Sequence, residues 1–365
     1  MNTLKSYQSF PLECGEVLPE LDIAYYTYGE MNEAKNNVIW VFHALTANAD
    51  AADWWNGLVG EGKLLDTKKY FIVCANMLGS CYGATNANSI NPTTGKRYGQ
   101  DFPIITIRDV VQSHEILRKH LNINKIYLGI GGSMGGQQAL EWAIFEPDLF
   151  ENICVLAAGA KAYPWSIAIN ETQRMALEAD PTLYDDAPDA GKKGLEAARA
   201  IGLLSFRNPE TYNRVQADLN DDKIEGFRTT TYQRYQGQKL SNRFTALSYL
   251  SITKTMDTHN VGRTRGGIEN ALKTIKSNVL VIGIQSDLLY SIDEQIELAS
   301  LIPNAQLEAI DSPYGHDGFL IENEKIAKII SNFLCLKDEI KHNSVLSVER
   351  KIKGIKKIRT ELYPV

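Results

Sequence analysis

Apolar runs of strand length alternate with segments of helical spacing along most of the chain. Val38–Leu45 (VIWVFHAL) is nearly apolar throughout, as suits a strand buried on both faces. Tyr70–Ala75, Ile126–Ile130, Ile153–Ala158, Asn278–Ile284 and Gln306–Ile310 repeat that pattern. Between them, Ile107–Leu121 carries Val110, Val111, Ile116 and Leu117 at helical spacing, and further helices are expected near Asp293–Leu301 and Glu322–Phe333. Strands alternating with helices predict an α/β fold, a mostly parallel sheet flanked by helices. Residues 8–28 break into short alternating segments that predict an antiparallel pair at the sheet's edge. Residues 76–103 form a long stretch rich in Gly, Asn and Pro, read as a loop without elements of its own, a kind usually tied to function.

The texture changes near Tyr163. Residues 164–275 contain little β-branched strand pattern and much helix-compatible sequence, such as IAINETQRMAL and GKKGLEAARAIGLLSF. The expected organisation is therefore a first α/β part over 1–163, a helical lid over 164–275, a second α/β part over 276–335 and a basic tail over 336–365. A lid inserted on the sheet's catalytic side would cover whatever chemistry the strand ends carry.

That chemistry centres on Gly131-Gly132-Ser133-Met134-Gly135-Gly136, between an expected strand and an expected helix. A strand that turns into a helix within a few residues forces the turn residue into a strained conformation, and only small neighbours leave it room. The turn lifts the serine hydroxyl clear of the sheet and aims the Met134 amide at a developing oxyanion. A Rossmann spacing starting at Gly129 and Gly131 would need glycine where Met134 stands. A P-loop would need a lysine before Ser or Thr, and none is there. The stretch reads as the nucleophile elbow of the α/β-hydrolase fold.

A serine at its free pKa needs a histidine base, itself oriented by a carboxylate. In this fold the order is Ser, then Asp or Glu, then His, which leaves His259, His316 and His342 after Ser133. His342 lies in the tail, and His259 lies in the helical insertion, where it reads as a surface or packing residue. His316, in DSPYGHDGFL between the last strand and the last helix, is the expected base. Asp287 directly follows VLVIGIQS, at a strand's carboxyl end on the side of Ser133, and is preferred as the acid. Asp311 is its competitor, only five residues before His316. The backbone amides of Leu45 (in HALT) and Met134 are placed to form the oxyanion hole. His43 reads as a hydrogen-bonded loop brace, and no histidine pair has metal-ligand spacing.

Composition narrows the partners. A 365-residue chain, 44% hydrophobic and 22% charged, can bury a large core. A formal charge of −6 argues against nucleic acid. Five scattered cysteines without CxxC spacing fit reduced thiols. With no signal-peptide h-region and no run approaching the roughly 20 apolar residues of a membrane span, a cytoplasmic protein is expected.

A triad does not choose among hydrolases and acyltransferases. Several ordered stretches do more: HALTAN, NMLGSCYGATNANSINPTTGKRYGQDFPIITIRD, GGSMGGQQALEW, GLEAARAIGLLSFRNPETY, YQRYQGQKLSNRF and YGHDGFL. Through them the chain resembles the homoserine O-acetyltransferase family, α/β-hydrolase-fold enzymes of methionine biosynthesis, up to about residue 335. The resemblance implies that Ser133 takes an acetyl group from acetyl-CoA, a co-substrate and not a bound cofactor, and passes it to L-homoserine. It also implies a homodimer, with Arg207 binding the amino-acid carboxylate and Asp317 its ammonium group. The chain departs from the family pattern at Ala47, at Ala87-Asn88 and at Thr245-Ala246-Leu247. Succinyl-CoA as donor, L-serine as acceptor, and an esterase of the same fold are the alternatives.

Overall fold

The computed structural model describes residues 1–335; the tail expected over 336–365 lies outside the described residues. The chain divides into two compact units, the first Met1–Asn323 and the second beginning at Glu324. In the second unit, residues 324–335 are helical.

The first unit is built on an eight-stranded sheet. Six of its strands are parallel, in the spatial order Phe71–Ala75, Val38–Phe42, Ile126–Gly132, Phe150–Leu156, Asn278–Ile284 and Ala305–Ile310. From Val38–Phe42 the chain first runs to one side, to Phe71–Ala75, and then to the other, to Ile126–Gly132. The strand order therefore reverses between Val38–Phe42 and Ile126–Gly132. Crossover segments diverge at such a point and leave a crevice beyond the carboxyl ends of the strands. The HALT loop and Ser133 leave their strands at that crevice.

The antiparallel edge differs from its expected extent. Its outer strand is Asn2–Ser6, paired with Leu21–Tyr28, which in turn pairs with Phe71–Ala75. The intervening Phe10–Pro11 and Val17–Leu18 form a separate two-stranded hairpin. Residues 76–103 are not without elements either: Ile90–Asn91 pairs with Lys96–Arg97, and Gly99–Asp101 forms a 3₁₀ turn. The strand read as Ile153–Ala158 runs from Phe150 to Leu156.

The helix Met134–Phe145 is buried along nearly its whole length, which its weakly amphipathic sequence allows. It packs through Trp142, whose ring lies edge-on to Trp40 at 4.9 Å and to Phe150 at 5.5 Å. The helix Ile107–His120 starts at a capping box, with Thr106 and Asp109 satisfying each other's backbone amides.

Between Leu156 and Asn278 the chain adds no strand to the sheet. It forms the helices Pro164–Glu178, Lys192–Phe206, Pro209–Gln216, Arg228–Ser241, Ala246–Asp257 and Ile268–Leu272. Tyr249 ties Ala246–Asp257 to Pro164–Glu178 by donating to Gln173 Oε1 at 2.5 Å, and Asp257 pairs with Arg174 on the same helix.

Candidate active site

Ser133 has φ 56° and ψ −126°, backbone values that L-residues rarely adopt. Two glycines make the turn possible. A Cβ on Gly135 would stand 2.3 Å from the carbonyl oxygen of Phe42, and one on Gly131 would stand 2.5 Å from the Gly135 carbonyl carbon. Strand and helix approach too closely for any side chain there. The Ser133 amide donates to Leu156 at 2.8 Å, and its carbonyl accepts the amides of Gly136 and Gln137. The turn is therefore held from both sides.

His316 and Asp287 come together although 29 residues separate them. His316 Nδ1 lies 2.7 Å from Asp287 Oδ2, and both side chains are buried. The other carboxylate oxygen, Oδ1, accepts the amides of Leu289 at 2.7 Å and Tyr290 at 3.0 Å. Asp287 is thus locked by its own turn, which leaves one oxygen for the imidazole. His316 sits on a 3₁₀ turn, Gly315–Asp317, and Gly315 takes φ 63° while donating its amide to Ser286 Oγ. The carboxylate at Nδ1 fixes the tautomer and leaves Nε2 for a reacting hydroxyl. Burial lowers the His316 pKa, but the charge and hydrogen bond of Asp287, with Asp317 nearby, outweigh it, and the net shift is upward. It is Asp287, and not Asp311, that holds the base.

Ser133 and His316 line one cavity of about 70 Å³, together with Leu45, Arg199, Asp317 and Phe319. Leu45 lies in the loop after the strand Val38–Phe42, and Met134 is the first residue of its helix, so both expected oxyanion amides belong to elements at this crevice. His43 braces the loop: Nδ1 lies 2.9 Å from Ala44 O, and Nε2 accepts the Met77 amide at 3.0 Å. Burial pulls its pKa down to about 4, so it stays neutral. His259 is a packing residue, buried with Nε2 3.0 Å from Gly159 O.

Arg207, which the resemblance would set on the amino-acid carboxylate, pairs with Asp317 in this structure. Its Nε stands 2.7 Å from Asp317 Oδ2, an ion pair without an aligned hydrogen bond, and it does not line the cavity. The guanidinium on the wall is Arg199, packed 5.4 Å over the Phe206 ring. Sequence reasoning missed Arg199, yet a signal existed. Leu195, Arg199, Gly202 and Phe206 share one helical face, so Arg199 interrupts an apolar stripe at a position where a hydrophobe belongs. Asp317 is raised by burial, against the pull of Arg207 and Arg199.

Among the described residues no group of three or more His, Cys, Asp or Glu side chains is arranged to hold a metal ion. No described helix is long and apolar enough to cross a membrane.

Residues 37–322 match the family model of the alpha/beta hydrolase fold. The homoserine O-acetyltransferase of Cyclobacterium marinum is 49% identical over 89% of this chain and 93% of its own length. The chain belongs to the homoserine O-acetyltransferase family. The homoserine O-acetyltransferase of Bacillus anthracis superposes with a TM-score of 0.86 over 91% of this chain and 97% of its own, at 24% identity. Esterase E22 reaches 0.83 over 91% and 99%, also at 24% identity, so the fold by itself accommodates both kinds of enzyme. Two departures from the homoserine O-acetyltransferase pattern touch each other: Asn88 Nδ2 donates to Thr245 Oγ1 at 2.9 Å. With Ala246 and Leu247 they line a separate hollow of about 250 Å³, and not the cavity at Ser133.

Proposed function

We propose that this enzyme transfers an acetyl group from acetyl-CoA to the hydroxyl of L-homoserine, as its family membership implies, through an acyl-enzyme on Ser133. The observation that carries the mechanism is the cavity at the nucleophile elbow, where Ser133 and the Asp287-held His316 share walls with a guanidinium and a carboxylate.

In the first half-reaction Ser133 Oγ attacks the thioester carbonyl and its proton passes to His316 Nε2. The Leu45 and Met134 amides receive the oxyanion. The tetrahedral intermediate collapses, the C–S bond breaks, and His316 returns the proton to the departing CoA sulfur. In the second half-reaction the homoserine hydroxyl attacks the acetyl-serine ester and gives its proton to His316. Collapse breaks the bond to Ser133 Oγ, which recovers the proton. Asp287 stabilises the imidazolium in both halves.

Arg199 is the better receiver for the acceptor's carboxylate, because it lines the cavity and no carboxylate of the described residues stands within ion-pair distance of it. Asp317 takes the ammonium group, and Arg207 orients Asp317. The helices of 164–275 serve as the lid that keeps water from the acyl-enzyme. Acetyl-CoA is a co-substrate with no resident cofactor, and the enzyme works in the cytoplasm as a homodimer, which sedimentation would test.

A free-thiol assay of CoA release with homoserine, serine or no acceptor decides the function. Homoserine-dependent release with O-acetylhomoserine detected by mass spectrometry is the expected outcome. Release that ignores every acceptor, or none alongside hydrolysis of simple esters, would favour the esterase. A serine-dependent signal, or a response to succinyl-CoA alone, would change the acceptor or the donor.

A further inference from the structure

Tyr290 touches Asp287 and His316 directly and reaches the Ser133 turn through Gln137, although its hydroxyl touches no reacting atom. Its amide donates to Asp287 Oδ1 at 3.0 Å. Its ring centroid lies 5.5 Å from that of His316, tilted by 41°. Its hydroxyl accepts a hydrogen bond from Gln137 Nε2 at 3.0 Å. Gln137 lies one turn into the helix that follows Ser133, and its amide donates to the Ser133 carbonyl at 3.2 Å. Gln295 Nε2 donates to the Tyr290 carbonyl at 3.0 Å, so the residue is held at its amide, its carbonyl and its hydroxyl. Tyr290 and Gln137 are both buried, and burial raises the phenol's pKa, which keeps it neutral.

The nucleophile and the acid–base pair come from separate parts of the chain. The Ser133 turn hangs on the strand Ile126–Gly132, whereas Asp287 and His316 follow Asn278–Ile284 and Ala305–Ile310. The strand Phe150–Leu156 stands between the two groups in the sheet. Backbone pairing alone therefore leaves the approach of serine to imidazole to be set across an intervening strand. The Gln137–Tyr290 bond spans that gap with one side-chain contact in a site closed to water, where a hydrogen bond resists exchange.

We propose that Tyr290 is a positioning residue whose hydroxyl, bonded to Gln137, fixes the nucleophile helix against the Asp287–His316 pair and so sets the approach of Ser133 Oγ to His316 Nε2. The proposal rests on the acyl-enzyme reading above. Both half-reactions pass a proton between the same two atoms, so one strut serves both.

Tyr290→Phe keeps the ring and removes the hydroxyl. The expected result is a fall in kcat of about tenfold, since small misplacements of reacting groups act on rate. KM for acetyl-CoA and for homoserine should stay within about twofold, because neither substrate touches the strut. The acid limb of the pH profile should not move, because the Asp287–His316 contact is kept. Gln137→Leu should give a similar fall, and the double variant should lose no more than either single one. The same set is measured on the pre-steady-state acylation of Ser133 by p-nitrophenyl acetate, which needs neither CoA nor homoserine. A wild type that acylates yet never acetylates homoserine would sink the transferase reading while leaving the strut open to test on this substrate. Wild-type acylation and kcat in Tyr290→Phe, with or without a lowered urea midpoint, would overturn the proposal, as would independent losses that multiply in the double variant.

Discussion

Arg207 Nε lies 2.7 Å from Asp317 Oδ2, directly beside the histidine that Asp287 holds. Arg207 is paired with a carboxylate of the protein, and Arg199 stands on the cavity wall. On the proposed reading, Arg199 receives the carboxylate of the substrate. Arg199→Ala should raise the KM for homoserine by about 10- to 100-fold, the worth of a charge-assisted contact. Arg207→Ala should act through Asp317, lowering kcat with a smaller change in that KM. Steady-state kinetics with homoserine varied at saturating acetyl-CoA separates the two. Equal effects on KM would return Arg207 to direct binding.

The pH dependence of turnover follows from His316. Its pKa is raised above the ordinary value of 6.5, and only the neutral imidazole can accept the serine proton. The acid limb of kcat/KM should therefore lie above 6.5, with activity lost as pH falls through it. Asp317 contributes to the upward shift, so Asp317→Asn should move the limb to lower pH in addition to any loss of rate. A full pH–rate profile of both proteins checks the direction.

Stability should fall with pH as well, through a different set of histidines. Burial depresses His43 and His259 to about 4 and His114 to about 3. The unfolded chain binds protons at these sites near 6.5, while the folded chain refuses them until much lower pH. Their contribution is complete above 6.5 and declines as pH falls towards 4, at about 1.4 kcal/mol per unit of depression for each group. His316 has the other sign, with its contribution complete below 6.5 and lost above its raised pKa. Urea midpoints between pH 7.5 and 4.5 should fall, and His114→Phe should flatten the slope.

Strain at Ser133 gives a prediction about stability without activity. Ser133→Ala should lower turnover by several orders of magnitude while the fold persists. Ser133→Gly should be equally inactive but more stable than Ser133→Ala, because glycine tolerates φ 56°. The strain is of order 1–3 kcal/mol, less the entropy that glycine adds to the unfolded chain. Thermal unfolding of the two inactive proteins measures the difference. A lower midpoint for the glycine variant would mean that the strain is smaller than the entropy glycine adds.

The sequence alone carried the α/β class, the parallel strands, the elbow at Ser133 and the order Ser133, Asp287, His316. Each of these rests on local signals: continuous apolar runs, helical spacing, and glycines where two backbones must meet. The extent of the antiparallel edge was not legible, because Asn2–Ser6 finds its partner at Leu21–Tyr28 across an intervening hairpin. Nor was the choice between Arg199 and Arg207, eight positions apart, one in the middle of a helix and the other at its C-cap. Which of them reaches the cavity depends on how that helix is set against the sheet. The Tyr290–Gln137 contact joins residues 153 positions apart and leaves no pattern in either segment. Local chemistry chose the candidate reacting residues, and only the packing of distant segments decided how they are held and what stands beside them.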